Sequence, residues 1–341
     1  MMFLLNIALI IQIIPWFVIG AYGFSVWAYC VIFCFDFLYQ QQDNKPVGLA
    51  FLIIFSVVVL FSIVGFFRVI IQRPYKLPRL QDDFEKQVET LELPEFFVCE
   101  ENGLPRWCWT CARFRPNRFS HCAETGSCVS RKDHYCPWLG SIIELKRYKF
   151  FMQFLHYSFI ANTFLLATMI PYLVSQGNKG SYPWQWITAV CINGFFCLFV
   201  LALLSSHYVL IFKGMSTAED SHKQDRLLIN VRLDDLPKLE NGSSPRMIVD
   251  CHHLPGHKRW IHPWDMGWKH NFAEVFGSGP IDWFLPITPS PSDPYNWPIK
   301  ETNKLILRDA AKKEWDRCAN ISPSQYSSFR SGSEKPEPSM P

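Results

Sequence analysis

CWTCARFRPNRFSHCAETGSCVSRKDHYCPW, residues 108–138, is the stretch on which the reading of this chain turns. It is polar, basic and dense in cysteine and histidine. The chain around it is unusually apolar, with 49% hydrophobic against 18% charged residues in 341. Such a balance points toward a bilayer. A spanning helix needs about 20 mostly apolar residues, since each adds about 1.5 Å across a hydrocarbon core about 30 Å thick. Two stretches before the cysteine-rich segment meet this requirement, one within Phe3 to Tyr39 and one at roughly Pro46 to Ile71. Two more follow it, at about Phe150 to Val174 and Trp186 to Phe212. Asn162, Asn193, Ser205 and His207 interrupt these apolar runs and are expected to face other helices.

The connections predict an orientation. Gln40 to Lys45 and Ser175 to Gln185 carry one lysine each, whereas Gln72 to Tyr148 includes Arg73, Lys76, Arg79, Arg113, Arg115, Arg118, Arg131 and Lys132. The positive-inside rule places this long basic loop in the cytosol, and four spans then put both termini there as well. The apolar N-terminus lacks a basic leader and a small-residue cleavage site, so it reads as a retained membrane segment. With both termini cytosolic, the sequons at Asn241 and Asn320 are chance matches.

Composition divides the chain into five parts: 1–72 and 149–213 hold two spans each, and 73–148 is the cytosolic cysteine-rich unit. A cytosolic C-terminal region covers 214–320, and 321–341 is a Ser-, Pro- and Glu-rich tail that cannot bury enough surface to order itself. In the cysteine-rich unit, Phe96 to Cys99 and Arg106 to Cys108 flank Asn102-Gly103, a hairpin signal. The expected fold is an all-α membrane protein of four transmembrane helices, with a small β-rich cytosolic domain between the second and third. Formal net charge is only +3, which gives no sign of a nucleic-acid partner.

Twelve cysteines raise the question of disulfides, but several lie inside apolar stretches and six are concentrated between Cys99 and Cys136. This distribution favours metal or nucleophile chemistry in a reducing compartment. Cys108-x2-Cys111, followed by His121 and Cys128, has the makings of a tetrahedral Cys3His zinc site, which a loop-rich unit with little core needs as a staple. Unrelated buried thiols are the plainer alternative. Downstream, His134 stands two residues before Cys136. A thiol of pKa about 8.5 needs such a base to become a nucleophile near neutrality, and Asp133 is placed to fix the imidazole tautomer. Cys-His pairs also occur as metal ligands or by coincidence.

Taken together, Cys108-x2-Cys111, Arg115-Pro116-x-Arg118, His121-Cys122, Cys128 and Asp133-His134-Tyr135-Cys136-Pro137-Trp138 resemble the cysteine-rich domain of the DHHC protein S-palmitoyltransferases. The resemblance, with the four-span plan, covers roughly residues 5–215 and suits a divergent, fungal-like member. It implies that Cys136 takes a long acyl chain from acyl-CoA and passes it to a cysteine thiol of another protein, with His134 and Asp133 as its helpers. Family members bind two structural zinc ions, and the nucleophile binds neither. The first site is complete in Cys108, Cys111, His121 and Cys128. At the second only Cys122 remains; Thr125, Tyr135 and Ile142 stand where the other ligands would be, so one ion per chain is expected. Ser216-Thr217-Ala218-Glu219 resembles a family motif that sets Thr217 near Asp133, although a Ser followed three residues later by Glu is also a helix cap. Pro263 to Gly277 resembles a second motif, in which Asn271 stabilises backbone turns and His262 replaces a more usual Asn. Arg115, Arg118, Arg131 and Lys132 are candidates for the CoA phosphates, or equally a solvated basic face attracted to anionic lipid. The expected partners are acyl-CoA, the bilayer and proteins with membrane-proximal cysteines; the alternative is an inactive membrane-anchored zinc scaffold.

Overall fold

The computed structural model describes residues 2–78, 86–87, 92–221, 227–239, 242–254 and 260–319. Arg79, Asn241, Asn320 and the tail 321–341 lie outside the described residues. Among the described residues, four helices are long and apolar enough to cross a membrane. α1 (Met2–Trp27) continues as a π-helical stretch, Ala28–Gln41, and α2 is Lys45–Ile71. α3 (Leu145–Asn178) and α4 (Trp184–Phe212) follow the cysteine-rich segment. One helical run covers the ambiguous Phe3 to Tyr39 region, and the candidate span within it is Ile13–Gln41.

By packing, the chain groups into two units that interleave in sequence. One contains 1–74, 134–209 and 273–292; the other contains 75–133, 210–272 and 293–341. Composition follows hydropathy and places its boundaries where apolar runs end. Packing follows which side chains touch.

In the helical unit, α2 and α3 approach closely because Gly65 lacks a side chain: a Cβ there would stand 3.2 Å from the Phe154 backbone. Beside this crossing, Ser62 and Ser158 hydroxyls share a buried hydrogen bond of 2.9 Å. Small and hydroxylated residues are what helix contacts use where water does not drive association. The apolar core gathers Tyr29, Phe33, Phe55, Leu165, Met169 and Trp186. Asn193 faces another helix as expected, donating to Ser25 Oγ at 2.9 Å, but Ser205 does not: it is exposed and donates to the Leu201 carbonyl of its own helix at 2.8 Å.

The second unit is built from short strands. β1 (Phe96–Val98), β8 (Leu228–Arg232) and β9 (Arg246–Asp250) form an antiparallel sheet in the order β1-β8-β9. β2 (Trp107–Cys108) pairs with β3 (Arg113–Phe114), and β4 (Phe119–Cys122) pairs with β5 (Ser127–Ser130). The unit also holds α5 (Thr217–Ser221), α6 up to Phe272 of Trp268–Phe276, and α8 (Glu301–Ala319), which packs against β8 and β9. The hairpin expected around Asn102-Gly103 forms only as a turn. Gly103 takes φ +80° and Cys99 bridges Pro105, but the flanking strands then part. β1 takes β8 as its neighbour, and Asn117 Oδ1 accepts from the Val98 N–H at 2.9 Å. A partner more than 120 residues away in sequence offered a longer ladder than the local return strand.

Candidate active site and metal centre

β6 (His134–Cys136) and β7 (Ser141–Ile143) make a hairpin in the helical unit, with His134 opposite Ile143, Tyr135 opposite Ile142 and Cys136 opposite Ser141. Gly140 at φ +59° closes the turn, a conformation that suits a residue without Cβ. Successive strand residues face opposite sides, so His134 and Cys136 share one face and Tyr135 points to the other. Cys136 is buried and lines an apolar cleft of ≈ 70 Å³ with Trp138, Leu139, Phe151, Leu155 and Phe199. Tyr22, Ser25, Asn162 and Asn193 form the polar part of the same wall.

The His134 ring packs 5.5 Å from Phe151 and 5.7 Å from the ring of His207. His207 in turn shares a 3.0 Å hydrogen bond with the Tyr148 hydroxyl. Sequence reading placed His207 only as a polar interruption of the fourth span. Its signal was available: an imidazole inside an apolar helix is costly unless it serves a site.

Asp133 is buried, and Thr217 holds its carboxylate twice. The Thr217 N–H donates to Oδ1 at 2.8 Å and the hydroxyl to Oδ2 at 3.0 Å. The same motif is also a reciprocal helix cap. Ser216 N–H donates to Glu219 Oε2 at 2.8 Å, and Glu219 N–H donates to Ser216 Oγ at 3.2 Å. Both readings of Ser216 to Glu219 are therefore realised at once, since the cap presents the Thr217 N–H and hydroxyl to Asp133.

The four basic candidates separate. Arg118 grips Glu219 with two 2.7 Å hydrogen bonds and donates to the Gly214 carbonyl at 2.8 Å. Its guanidinium lies 4.5 Å from the Trp297 ring centre, so its charge is committed inside the fold. Arg131 is buried against the same tryptophan, 5.9 Å from its centre. Arg115 and Lys132, together with Arg106 and Arg118, line a cavity of ≈ 460 Å³ within this unit.

Asn271 is fully buried and ties together the end of α4 and the 265–266 turn. Its Oδ1 accepts from the Met266 N–H at 3.1 Å, while Nδ2 donates to the Phe212 carbonyl at 3.0 Å and to Asp265 Oδ1 at 2.8 Å. Gly214, at φ +67°, leaves room for it: a Cβ there would come within 3.2 Å of the amide. His262 is buried nearby, with Nε2 3.9 Å from Glu219 Oε2. Burial pulls its pKa down, Glu219 pushes it up and Arg118 and Arg131 push it down again, leaving it at about 4 against 6.5. Between those values the unfolded chain holds a proton that the folded chain refuses, so stability falls as pH drops from 6.5 to 4. Replacing His262→Asn should remove about 3 kcal/mol of that pH-dependent loss, read as the wild-type-minus-variant difference in unfolding midpoints across this window.

Cys108, Cys111, His121 and Cys128 place their ligand atoms within 4.8 Å of one another. β4 and β5 set His121 directly opposite Cys128, and the Cys108-x2-Cys111 turn closes over them. His121 Nδ1 lies 3.5 Å from Cys108 Sγ, 3.5 Å from Cys111 Sγ and 4.0 Å from Cys128 Sγ. A tetrahedral zinc with the usual bond lengths needs S···N edges of about 3.6 Å, so this donor set fits the ion. Cys122 differs. Its thiol is buried and donates to Glu124 at 3.1 Å, while Thr125 engages Ser127 at 3.2 Å.

The comparisons with known proteins agree with this geometry. Residues 101–224 match the family model described as DHHC palmitoyltransferase. Over that segment the chain is similar to the DHHC palmitoyltransferases. Among its relatives, Palmitoyltransferase pfa5 of Aspergillus fumigatus is 26% identical over 60% of this chain and 52% of its own length. Palmitoyltransferase PFA5 of Candida glabrata is 25% identical over 81% of this chain and 80% of its own. Probable protein S-acyltransferase 13 of Arabidopsis thaliana is 26% identical over 79% of this chain and 82% of its own. The chain thus spans about half the length of the Aspergillus relative and most of the other two. The DHHC family motif reads Asp133-His134-Tyr135-Cys136 here, and Tyr135 replaces its second histidine.

Proposed function

We propose that this chain is a membrane-embedded protein S-palmitoyltransferase that works through an acyl-Cys136 intermediate. The observation that carries the reading is the placement of Cys136 at an apolar cleft among the spanning helices, on the same strand face as His134. His134 takes the Sγ proton, and the thiolate attacks the carbonyl carbon of the acyl-CoA thioester. A new acyl–sulfur bond forms, the bond to CoA breaks, and the CoA sulfur leaves with the proton. In the second step a protein cysteine surrenders its proton, attacks the acyl group and releases the Cys136 thiol. Asp133 acts on the imidazole as its orienter, and Thr217 holds Asp133.

The cleft supplies the lipid side of the reaction. Each methylene buried contributes about 0.8 kcal/mol, so a 16-carbon tail brings a gross gain of roughly 12 kcal/mol before ordering costs. With only ≈ 70 Å³ clear, the cleft takes such a tail only if its lining side chains move apart. Arg115 and Lys132 are the better candidates for the CoA phosphates, because Arg118 is already spent on Glu219. The Cys3His cluster holds one zinc ion as a structural cross-link, and the places of a second ion are filled by packing and hydrogen bonds. The cysteine-rich unit and both termini face the cytosol, where acyl-CoA and substrate cysteines meet the membrane surface.

Purified protein incubated with palmitoyl-CoA should release CoA and gain a hydroxylamine-sensitive acyl adduct on the peptide containing Cys136. Absence of any thioester adduct at neutral pH would leave only the metal-stapled scaffold. Thr217→Ala should slow adduct formation by about tenfold, in line with losing one hydrogen bond to a charged group, while leaving zinc content unchanged.

A further inference from the structure

His207 lies in α4 and His134 on β6, both in the helical unit, and their imidazole rings stand 5.7 Å apart at 34°. A ring nitrogen of each lies within 4.8 Å of the other. Phe151 of α3 is their shared wall. The His134 ring meets it at 5.5 Å and 70°, and the His207 ring at 5.2 Å and 78°. His207 is 4% exposed, and so is Tyr148, whose hydroxyl shares the 3.0 Å hydrogen bond with His207 Nδ1. The proposed transfer employs His134 and Cys136 and gives no task to this second imidazole.

A buried imidazole costs free energy unless its nitrogens are used. Tyr148 engages Nδ1, so Nε2 is the atom that His207 has to offer the other ring. Two imidazoles this close, walled by Phe151, are not both charged at neutral pH, because like charges in an apolar shell are poorly screened. They titrate as a pair that holds one proton, and the neutral member presents a lone pair to the charged one. The charged groups on neighbouring elements have partners of their own. Arg147 donates to Ser141 Oγ and the Ile142 carbonyl at 2.5 and 3.1 Å, and Glu144 accepts from the Lys146 N–H at 3.1 Å. Lys149 pairs at 3.5 Å with Asp282 of α7 (Pro280–Phe284), and Asp133 is held by Thr217. We propose that His207, oriented by Tyr148, is a positioning residue for acyl transfer: it fixes the His134 ring against Phe151 and stabilises the imidazolium that forms when His134 takes the Cys136 proton. His207 makes and breaks no bond to carbon. The proton passes from Sγ to His134 and on to the departing CoA sulfur, so the imidazole pair ends the step as it began. The proposal rests on Cys136 being the acyl carrier.

The test uses the full chain in nanodiscs and two variants. His207→Phe keeps a ring against Phe151 and removes both nitrogens, whereas Tyr148→Phe removes only the hydroxyl. Loss of a polar neighbour penalises the charged form of His134, so the acid limb of adduct formation from palmitoyl-CoA should move to lower pH by about one unit in His207→Phe, and by less in Tyr148→Phe. A weaker base also works more slowly. The plateau rate should fall about tenfold and about threefold respectively, with the KM for palmitoyl-CoA within about twofold of wild type. A merely structural loss would lower the rate by one factor at every pH, or raise the KM, and leave the limb in place. Either result, or a wild-type rate, overturns the proposal. Should His207→Phe fail to fold, the limb in Tyr148→Phe decides alone. NMR of ring-labelled histidine separates this proposal from the reading beneath it. The His134 resonance, identified by its absence from His134→Gln, should titrate at lower pH in both variants. If it does so while wild-type protein forms no adduct, the Cys136 reading fails and the imidazole pair stands; if it stays in place while wild-type protein forms adduct, the reverse holds.

Discussion

Cys136→Ser is expected to lose the acyl adduct and transfer to protein thiols together, by more than about a thousandfold, because the nucleophile itself is removed. A thiol of ordinary pKa near 8.5 is within reach of an imidazole base at neutral pH; a serine hydroxyl is not, unless further groups are built to stabilise an alkoxide. The substitution exchanges sulfur for oxygen with little change of shape, so packing at the cleft should survive. Two measurements made together decide the matter. Adduct mass after incubation with palmitoyl-CoA should fall to background, while zinc content and unfolding midpoint stay at the wild-type values. A variant that still accumulates adduct on the same peptide would remove Cys136 from the mechanism.

Cys128→Ala should be as severe for the fold as Cys136→Ser is for the chemistry. Structural zinc sites contribute about 10–16 kcal/mol of apparent binding free energy at neutral pH, and a unit of two-residue strands has little else to hold it. Cys128 belongs to the cluster, opposite His121 and fully buried. Loss of its sulfur should take metal content from one ion per chain to none, and hydrogen-exchange protection across β2 to β5 should go with it. Cys122→Ala is the matched control. Its thiol donates to the Glu124 carboxylate, so the variant should retain one zinc and lose at most about 1–2 kcal/mol of stability. Two ions in the wild type, with one lost from Cys122→Ala, would refute the single-site reading.

The helices were legible because hydropathy is a local property: a run such as Val57 to Leu60 and its neighbours declares its environment without reference to any other part of the chain. Their limits were less so. α3 begins at Leu145 and not at Phe150, since Glu144 caps it through a 3.1 Å bond from the Lys146 N–H, and capping follows backbone geometry more than hydropathy. The cysteine–histidine cluster was legible for the same local reason, its four members falling within 21 consecutive positions, 108–128. The β1–β8 pairing was not, because a three-residue strand carries too little pattern to name a partner beyond residue 225. His207 was seen only as an interruption, since nothing in α4's own sequence says which ring it will meet.

By itself, then, the sequence settled the kind of molecule: which stretches prefer hydrocarbon, which side chains can bind a metal, and which sulfur has an imidazole two residues before it. Those properties belong to single residues or to short spacings along one backbone. Only the tertiary structure decided how charge and carbonyl groups are shared among distant segments. Arg118 is committed to Glu219, and Gln153 serves the backbone of residues 282–285. Each of those outcomes depends on burial, which strips water from a polar group and obliges it to find whichever partner the fold brings within about 3 Å.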